Sequence, residues 1–229
     1  MKIGGIQKFS LVDYPGLVSA VLFTTGCNMR CGYCHNPELV VPELYSESLD
    51  LNEVYAFLDS RRDKLEGVVI TGGEPTLRKD LPDMVKKIKS MGYRVKLDSN
   101  GTHPEVLKSM IDEHQIDYVA MDIKGSLEKY ASIAARLVDT DAIKKSIQVI
   151  LASNVHHEFR TTVVQSQLSF SDFDKMGQLI KGAQLFSIQK FVPAKTLDPS
   201  FAKERTYDEA DLVKIKKIMK QYVDKCAIR

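Results

Sequence analysis

The sequence predicts an α/β fold with a parallel sheet. Two observations carry the prediction. Six short β-forming runs alternate with helix-period segments along the 229 residues, which argues for parallel strands joined by helical crossovers. The chain's unusual polar residues also fall at the carboxyl ends of those runs, where sites form in parallel α/β folds.

The first strand is Val18-Ser19-Ala20-Val21-Leu22-Phe23, an apolar run between Pro15-Gly16 and Thr24-Thr25-Gly26. It feeds a cysteine-rich loop that ends at His35-Asn36-Pro37. Asp50 opens a helix whose Glu53 is placed to reach back to the cap, and Leu51, Val54, Phe57 and Leu58 form its apolar face. The second strand, Gly67 to Thr71, runs into Gly72-Gly73-Glu74-Pro75. The helix after it carries Leu81, Met84, Val85, Ile88 and Met91 on one face and stops at Gly92. Tyr93 to Asp98 is the third strand, followed by Ser99-Asn100-Gly101. A helix marked by Val106, Leu107, Met110 and Ile111 leads to the fourth strand, Tyr118 to Lys124. Leu127 to Ala152 reads as two helices broken near Val138-Asp139-Thr140. Glu158 to Val164 is the fifth strand, Phe170 to Lys181 a helix ended by Gly182, and Leu185 to Val192 the sixth strand. Pro193 to Lys203 is irregular. Thr206-Tyr207-Asp208-Glu209 reads as a capping box for a last helix with Leu212, Ile215, Met219 and Tyr222 on its core face.

The length suits one domain over residues 1–229. Hydrophobic residues at 44% and charged residues at 27% are ordinary for a soluble protein. A net charge of +2 is too small to argue for nucleic acid or membrane as a partner. No apolar run reaches the roughly 18 residues that span a bilayer, and Met1 to Ile6 lacks the apolar segment of a signal peptide. The expectation is a cytoplasmic protein. There, four cysteines point to metal binding or catalysis rather than to a disulfide framework.

Three of those cysteines, Cys27, Cys31 and Cys34, form a C-x3-C-x2-C loop, while Cys226 lies near the other end of the chain. A structural zinc site usually wants four protein ligands. The fourth here would be distant Cys226 or His35, which directly follows Cys34 and is awkwardly placed. That reading makes the chain a non-catalytic, zinc-binding interaction protein. The other reading is an iron–sulfur cluster, whose usual ligands are cysteine thiolates. Three cysteines leave one iron of a four-iron cubane open to an exogenous ligand.

C-x3-C-x2-C with Tyr33 before the last cysteine resembles the signature of the radical S-adenosylmethionine superfamily. The resemblance implies a partial (β/α)6 barrel and a 4Fe-4S cluster on Cys27, Cys31 and Cys34. It implies S-adenosylmethionine as the second cofactor, its methionine amino and carboxyl groups on the open iron and Tyr33 among the residues beside it. Reductive cleavage of the sulfonium would yield methionine and a 5′-deoxyadenosyl radical that abstracts a hydrogen atom. Gly72-Gly73-Glu74-Pro75 resembles the superfamily's G-G-E-P motif, which holds the methionine ammonium. Glycines allow close backbone approach, and a carboxylate pairs with an ammonium. Asp98-Ser99-Asn100-Gly101 resembles the D-T-N-G segment of glycyl-radical activating enzymes, with Ser99 in place of Thr. Asp122-Ile123-Lys124 resembles their D-x-K segment. There the lysine neutralises the methionine carboxylate, and the aspartates lie near the cofactor or a monovalent cation. The plainer reading of Asp122 and Lys124 is a strand-end salt bridge. Arg160 and Gln189 also stand near strand ends, with their inward or outward direction open. No catalytic residue is expected beyond the cluster ligands.

The opening segment, Gly4 to Gly16 with its Ser10-Leu11-Val12-Asp13-Tyr14-Pro15-Gly16, and Cys34-His35-Asn36-Pro37-Glu38 resemble glycyl-radical activating enzymes. Gln189 to Pro193 with Thr196-Leu197-Asp198-Pro199 is similar to the activating proteins of anaerobic ribonucleoside-triphosphate reductase. The resemblance implies an oxidoreductase that places a glycyl radical on a partner enzyme, that reductase in particular, with a flavodoxin or ferredoxin as electron donor. The alternatives within the superfamily are a pyruvate formate-lyase-type activating enzyme and a small-molecule enzyme like 7-carboxy-7-deazaguanine synthase.

Overall fold

The computed structural model describes residues 1–229. One sheet holds eight strands in chain order: β1 Ile3–Ser10, β2 Ser19–Thr24, β3 Gly67–Gly72, β4 Arg94–Ser99, β5 Tyr118–Asp122, β6 His156–Val163, β7 Leu185–Lys190 and β8 Lys225–Ile228. β1 pairs antiparallel with β2, and every later pair is parallel. The six expected strands are β2 to β7. The two edge strands are additions, and both lack a readable pattern. β1 buries only its two ends, Ile3 and Ser10, and β8 has four residues. Cys226 accordingly lies in a strand beside Phe186 of β7.

The helices are α1 Pro37–Val40, α2 Leu51–Asp59, α3 Leu81–Ser90, α4 Pro104–Asp112, α5 Tyr130–Ala134, α6 Thr140–Ala152, α7 Phe170–Leu179 and α8 Glu209–Met219. Their caps differ from expectation in two places. Asp50 caps α2 through Asn52 N without help from Glu53. The cap of α8 is Asp208, which accepts from Asp211 N, so the helix starts two residues later than a Thr206 cap would give and ends before Tyr222. Tyr222 instead packs its ring over Gly177, where a Cβ would lie 2.2 Å from it. A full capping box does occur, at Ser169 and Asp172 of α7.

Strand alternation sorts side chains onto two faces. Leu22, Ile70, Leu97, Val119, Phe159 and Ile188 face the helices and belong to one core of 48 residues. Burying side chains of this size stabilises by about 1.5–3 kcal/mol each. The alternate positions face the hollow of the curled sheet. Val21, Val69 and Tyr118 pack there with Tyr14 in a small separate cluster, and Lys96, Asp98, Glu158 and Ser187 are the buried polar residues of that hollow. The sheet is a partial barrel, curled far enough for the loop after β7 to meet the loop after β2. Leu197 N donates to Cys34 O at 2.9 Å, and Asp198 N to Gly32 O at 3.0 Å. No helix is long and apolar enough to cross a membrane.

Candidate active site

A cavity of about 220 Å³ opens at the carboxyl ends of β2 to β6. The motif residues marked in the sequence line it: Cys27, Cys31, Tyr33, Cys34, Gly72, Gly73, Glu74, Asp98, Ser99, Asn100, Asp122 and Lys124. Arg160 lines it as well, which settles its inward direction, whereas Gln189 does not. Met29, Thr71 and Thr162 are lining residues that sequence reasoning missed.

The two glycines after β3 bring that loop against the cysteine loop. Gly73 N donates to Thr24 O at 2.8 Å and Glu74 N to Gly26 O at 2.7 Å. A Cβ on Gly73 would stand 2.0 Å from Gly26 O, and Gly72 holds φ +114° with its own Cβ position 2.4 Å from Thr24 N. Only glycine fits such an approach. The Glu74 side chain is fully buried. Its Oε1 accepts from Thr76 N (3.1 Å), Thr76 Oγ1 (2.5 Å) and Ser99 Oγ (3.0 Å), and its Oε2 accepts from Asn100 N (2.6 Å). Burial pushes its pKa up against the pull of these bonds. Glu74 is therefore a weld between the ends of β3 and β4, with four protein donors on its carboxylate. That differs from the simple ammonium partner expected of it.

The cysteine loop is held from two sides. Arg30 N donates to Ala134 O at 2.7 Å, and the Arg30 guanidinium returns to Cys27 O at 2.7 Å and Met29 O at 2.8 Å. On the other side the segment after β7 forms a strap. Besides the Leu197 and Asp198 amides, it supplies Phe201, whose ring lies against Gly32 with no room for a Cβ (2.3 Å) and edge-on to Tyr33 at 6.4 Å. His35 stacks on Phe191 and reaches Val192 O at 3.0 Å. Burial pushes the Cys27 thiol up to about 11 and raises that of Cys34, so metal binding there must displace protons. The thiols share the cavity wall, and no three His, Cys, Asp or Glu side chains meet the spacing of a single-ion site. Neither proposed fourth zinc ligand fits: His35 is engaged with Val192, and Cys226 sits on β8 next to Phe186.

A run of alternating charges lines the other wall. Lys124 Nζ is 3.0 Å from Asp122 Oδ2, Asp122 Oδ1 is 2.5 Å from Arg160 Nε, Asp98 Oδ2 is 2.9 Å from Arg160 Nη1, and Asp98 Oδ1 is 2.5 Å from Lys96 Nζ. Further along the hollow, Glu158 lies 3.9 Å from Lys96 and 3.0 Å from Arg229. Burial opposes ionisation of both aspartates, but Arg160 and Lys96 hold Asp98 below the usual carboxylate value, and Arg160 and Lys124 do the same for Asp122. Burial likewise opposes the Lys124 charge, but Asp122, Tyr33 and Cys31 together outweigh it, so the lysine stays protonated. Its Nζ also stands 5.8 Å from the Tyr33 ring centroid, an attractive placement.

Residues 21–180 match the model of the Radical SAM superfamily, and the chain belongs to that superfamily. It is an enzyme, and its cofactors are the superfamily's 4Fe-4S cluster and S-adenosylmethionine. Among its relatives is a protein of Methanocaldococcus jannaschii that bears the provisional name of glycyl-radical enzyme activating enzyme. The two are 36% identical over 232 aligned residues, 99% of this chain and 95% of that one. The pyruvate formate-lyase-activating enzyme of Clostridium pasteurianum is 34% identical over 54% of this chain and 52% of its own length. Crystalline SuiB of Streptococcus suis with S-adenosylmethionine bound shares the fold, with a TM-score of 0.64 at 15% identity, over 90% of this chain and 51% of that one. The residues present fit both cofactors. Three thiols line a cavity in which His35 is otherwise engaged, as a cluster with one open iron requires, and Lys124 is a fixed cation facing the same space.

Proposed function

We propose that this chain activates a glycyl-radical enzyme. The observation that carries the reading is the assembly of three thiols, a glycine-built loop and a half-buried lysine around one cavity at the strand ends. The near full-length relationship to a protein named as such an activating enzyme supports it.

In this reading Cys27, Cys31 and Cys34 hold the cluster. Gly72, Gly73 and Glu74 border the methionine ammonium, with Glu74 acting chiefly by fixing the loop. Lys124 faces the methionine carboxylate, and Tyr33, Asp98, Ser99, Asn100 and Asp122 complete the wall. Bound there, the cofactors supply the reductive cleavage that yields a 5′-deoxyadenosyl radical. The chain's own residues bind, orient and exclude water. The hydrogen taken is that of a backbone glycine Cα on the partner, where the flanking peptide groups stabilise the product radical. The partner is the anaerobic ribonucleoside-triphosphate reductase, on the likeness of the segment Gln189 to Pro199, which includes part of the strap. The electron donor is a flavodoxin or ferredoxin, suited to the low potentials of such clusters.

The test is anaerobic incubation with S-adenosylmethionine, a reductant and candidate glycyl-radical proteins, followed by electron paramagnetic resonance. A glycyl doublet on the reductase is the expected result. A doublet on a different glycyl-radical enzyme would overturn the choice of partner. 5′-Deoxyadenosine without any protein radical would overturn the activating role in favour of a small-molecule substrate.

A further inference from the structure

The likeness of Asp98 and Asp122 to aspartates that lie near a monovalent cation raises the question of whether such an ion fits here. It does not. The two carboxylates stand on adjacent strands, β4 and β5, facing the hollow. Arg160 on β6, in register with Asp122, sends its guanidinium between them. Ala120 is the inward residue of β5 that lies in register with Asp98, and its small side chain leaves the guanidinium room to reach across to β4. All four carboxylate oxygens then meet a cationic nitrogen: Asp122 has Arg160 at 2.5 Å and Lys124 at 3.0 Å, and Asp98 has Arg160 at 2.9 Å and Lys96 at 2.5 Å. Hard cations need several free oxygen ligands. Each of these four already faces a cationic nitrogen that repels an incoming metal ion, and an arginine has no lone pair to offer and does not lose its proton.

We propose that the Arg160 guanidinium is a built-in counter-cation that takes the place of a bound monovalent ion, and that this site binds none. Followed to its end through Glu158 and Arg229, the run of four cations and three carboxylates carries one surplus positive charge. A further metal ion would add to that surplus, whereas a carboxylate arriving at Lys124 offsets it. Arg160 is thus a positioning residue. It fixes Asp122, and Asp122 in turn fixes the lysine that faces the cavity.

The proposal rests on the cofactor cavity described above but on no partner protein, so it can fail or stand independently of the activating role. Thermal unfolding of the cluster-free protein and S-adenosylmethionine affinity of the reconstituted protein are measured in potassium, sodium and choline chloride at equal ionic strength. Thallium(I) binding is followed by its nuclear resonance. The wild type should give the same midpoint and affinity in all three salts and no thallium site. Arg160→Met removes the charge while keeping much of the side-chain bulk. In choline it should weaken S-adenosylmethionine binding by at least about tenfold, the scale of one lost charged hydrogen bond, with recovery in potassium or sodium. A purely structural arginine would show no such salt-specific rescue. A wild type that needs potassium or binds thallium at this site overturns the proposal. So does an Arg160→Met variant that folds but is equally weak in every salt. The wild-type measurements decide the matter even where the variant does not fold.

Discussion

Gly73→Ala tests the close approach on which the cavity depends. The added Cβ would lie 2.0 Å from Gly26 O, 2.6 Å from Gly26 C and 3.1 Å from Gly26 N, all backbone atoms that no rotamer change can move. Contacts under 3.0 Å are essentially never made by real Cβ atoms, so the two loops must part by about 1 Å. The 2.7 Å bond from Glu74 N to Gly26 O then exceeds hydrogen-bonding range. An unmade bond to a buried amide costs about 1–3 kcal/mol, and residual crowding adds about 1 kcal/mol or more. The sum, about 2–4 kcal/mol, is a large part of the 5–15 kcal/mol typical of a domain. The displacement falls one residue before Cys27, so cluster loading should fall with stability. The assay is urea unfolding of the cluster-free protein, with iron content and the charge-transfer band near ~400 nm after anaerobic reconstitution. Gly92→Ala is the control. Its φ is +94° with no atom within 4 Å of the added Cβ, and it lies after α3, remote from the cavity. It should cost about 1 kcal/mol of backbone strain and leave loading intact. If Gly73→Ala takes up wild-type iron and unfolds no earlier than Gly92→Ala, the close-approach reasoning is wrong.

Cys31→Ala should abolish both the iron charge-transfer band and cleavage of S-adenosylmethionine. Retained cleavage would refute the assignment of Cys31 as a ligand. Phe201→Ala should loosen the strap over Gly32, costing about 2 kcal/mol for a half-buried ring and speeding air bleaching of the reconstituted cluster; an unchanged bleaching rate would rule out the strap as a holder of the loop. His157 is buried, with Nδ1 3.1 Å from Val155 O and Nε2 accepting from Gln184 N at 3.3 Å, and burial lowers its pKa from 6.5. The unfolded chain therefore takes the proton first. Stability should fall as pH drops below about 6.5, by at most about 1.4 kcal/mol per unit from this one group, and His157→Gln should flatten that part of the profile in urea titrations at pH 7.5, 6.5 and 5.5. Equal slopes for both proteins would exclude the histidine as the cause.

Local signals made much of this molecule readable. The cysteine spacing, the double glycine and the acidic or basic residues after strands are short-range features, and each belongs to a strand whose apolar run is itself plain. The fold class followed from alternation and from the polar residues that end the runs. What escaped was non-local. β1 carries no alternating burial because it is an exposed edge, and β8 is recognisable only once β7 is there to pair with it. The direction of Arg160 was open because parity needs one anchored residue. Phe159, fully buried in the helix-facing core, supplies that anchor and turns Glu158, Arg160 and Thr162 inward. Glu74 was marked by its motif as a partner for an ammonium, and the structure places it in the cavity wall. Its four donors come from positions 76, 99 and 100, and no pattern in the sequence announces that β3 and β4 end side by side. The strap was missed because Leu197, Asp198 and Phe201 act through amides and a ring on a loop 160 or more residues away from Gly32 in the chain.

The hollow of the barrel divides its labour by strand. On the β2 and β3 side, Val21 and Val69 pack with Tyr14 and Tyr118, an arrangement that stabilises the curl without polar groups. On the β4 to β6 side, Lys96, Asp98, Asp122, Glu158 and Arg160 form ion pairs, deeply buried at Lys96, Asp98 and Glu158 and half-buried at Arg160 and Asp122. Buried pairs of this kind rarely repay their desolvation better than apolar residues of equal volume. Stability alone therefore gives no reason to prefer them over the aliphatic and aromatic side chains of the helix-facing side. The reason lies at the upper end of the run, where the last pair places the charged Lys124 in a wall that also carries three thiols. A lysine on a loop after β5 has many conformers, and freezing it costs entropy. Asp122 restricts it, Arg160 restricts Asp122, and Asp98 with Lys96 fixes the guanidinium from below. Each step inward is a charge whose partner is already held. The polar core of this barrel is the support of one cation, positioned before any ligand arrives.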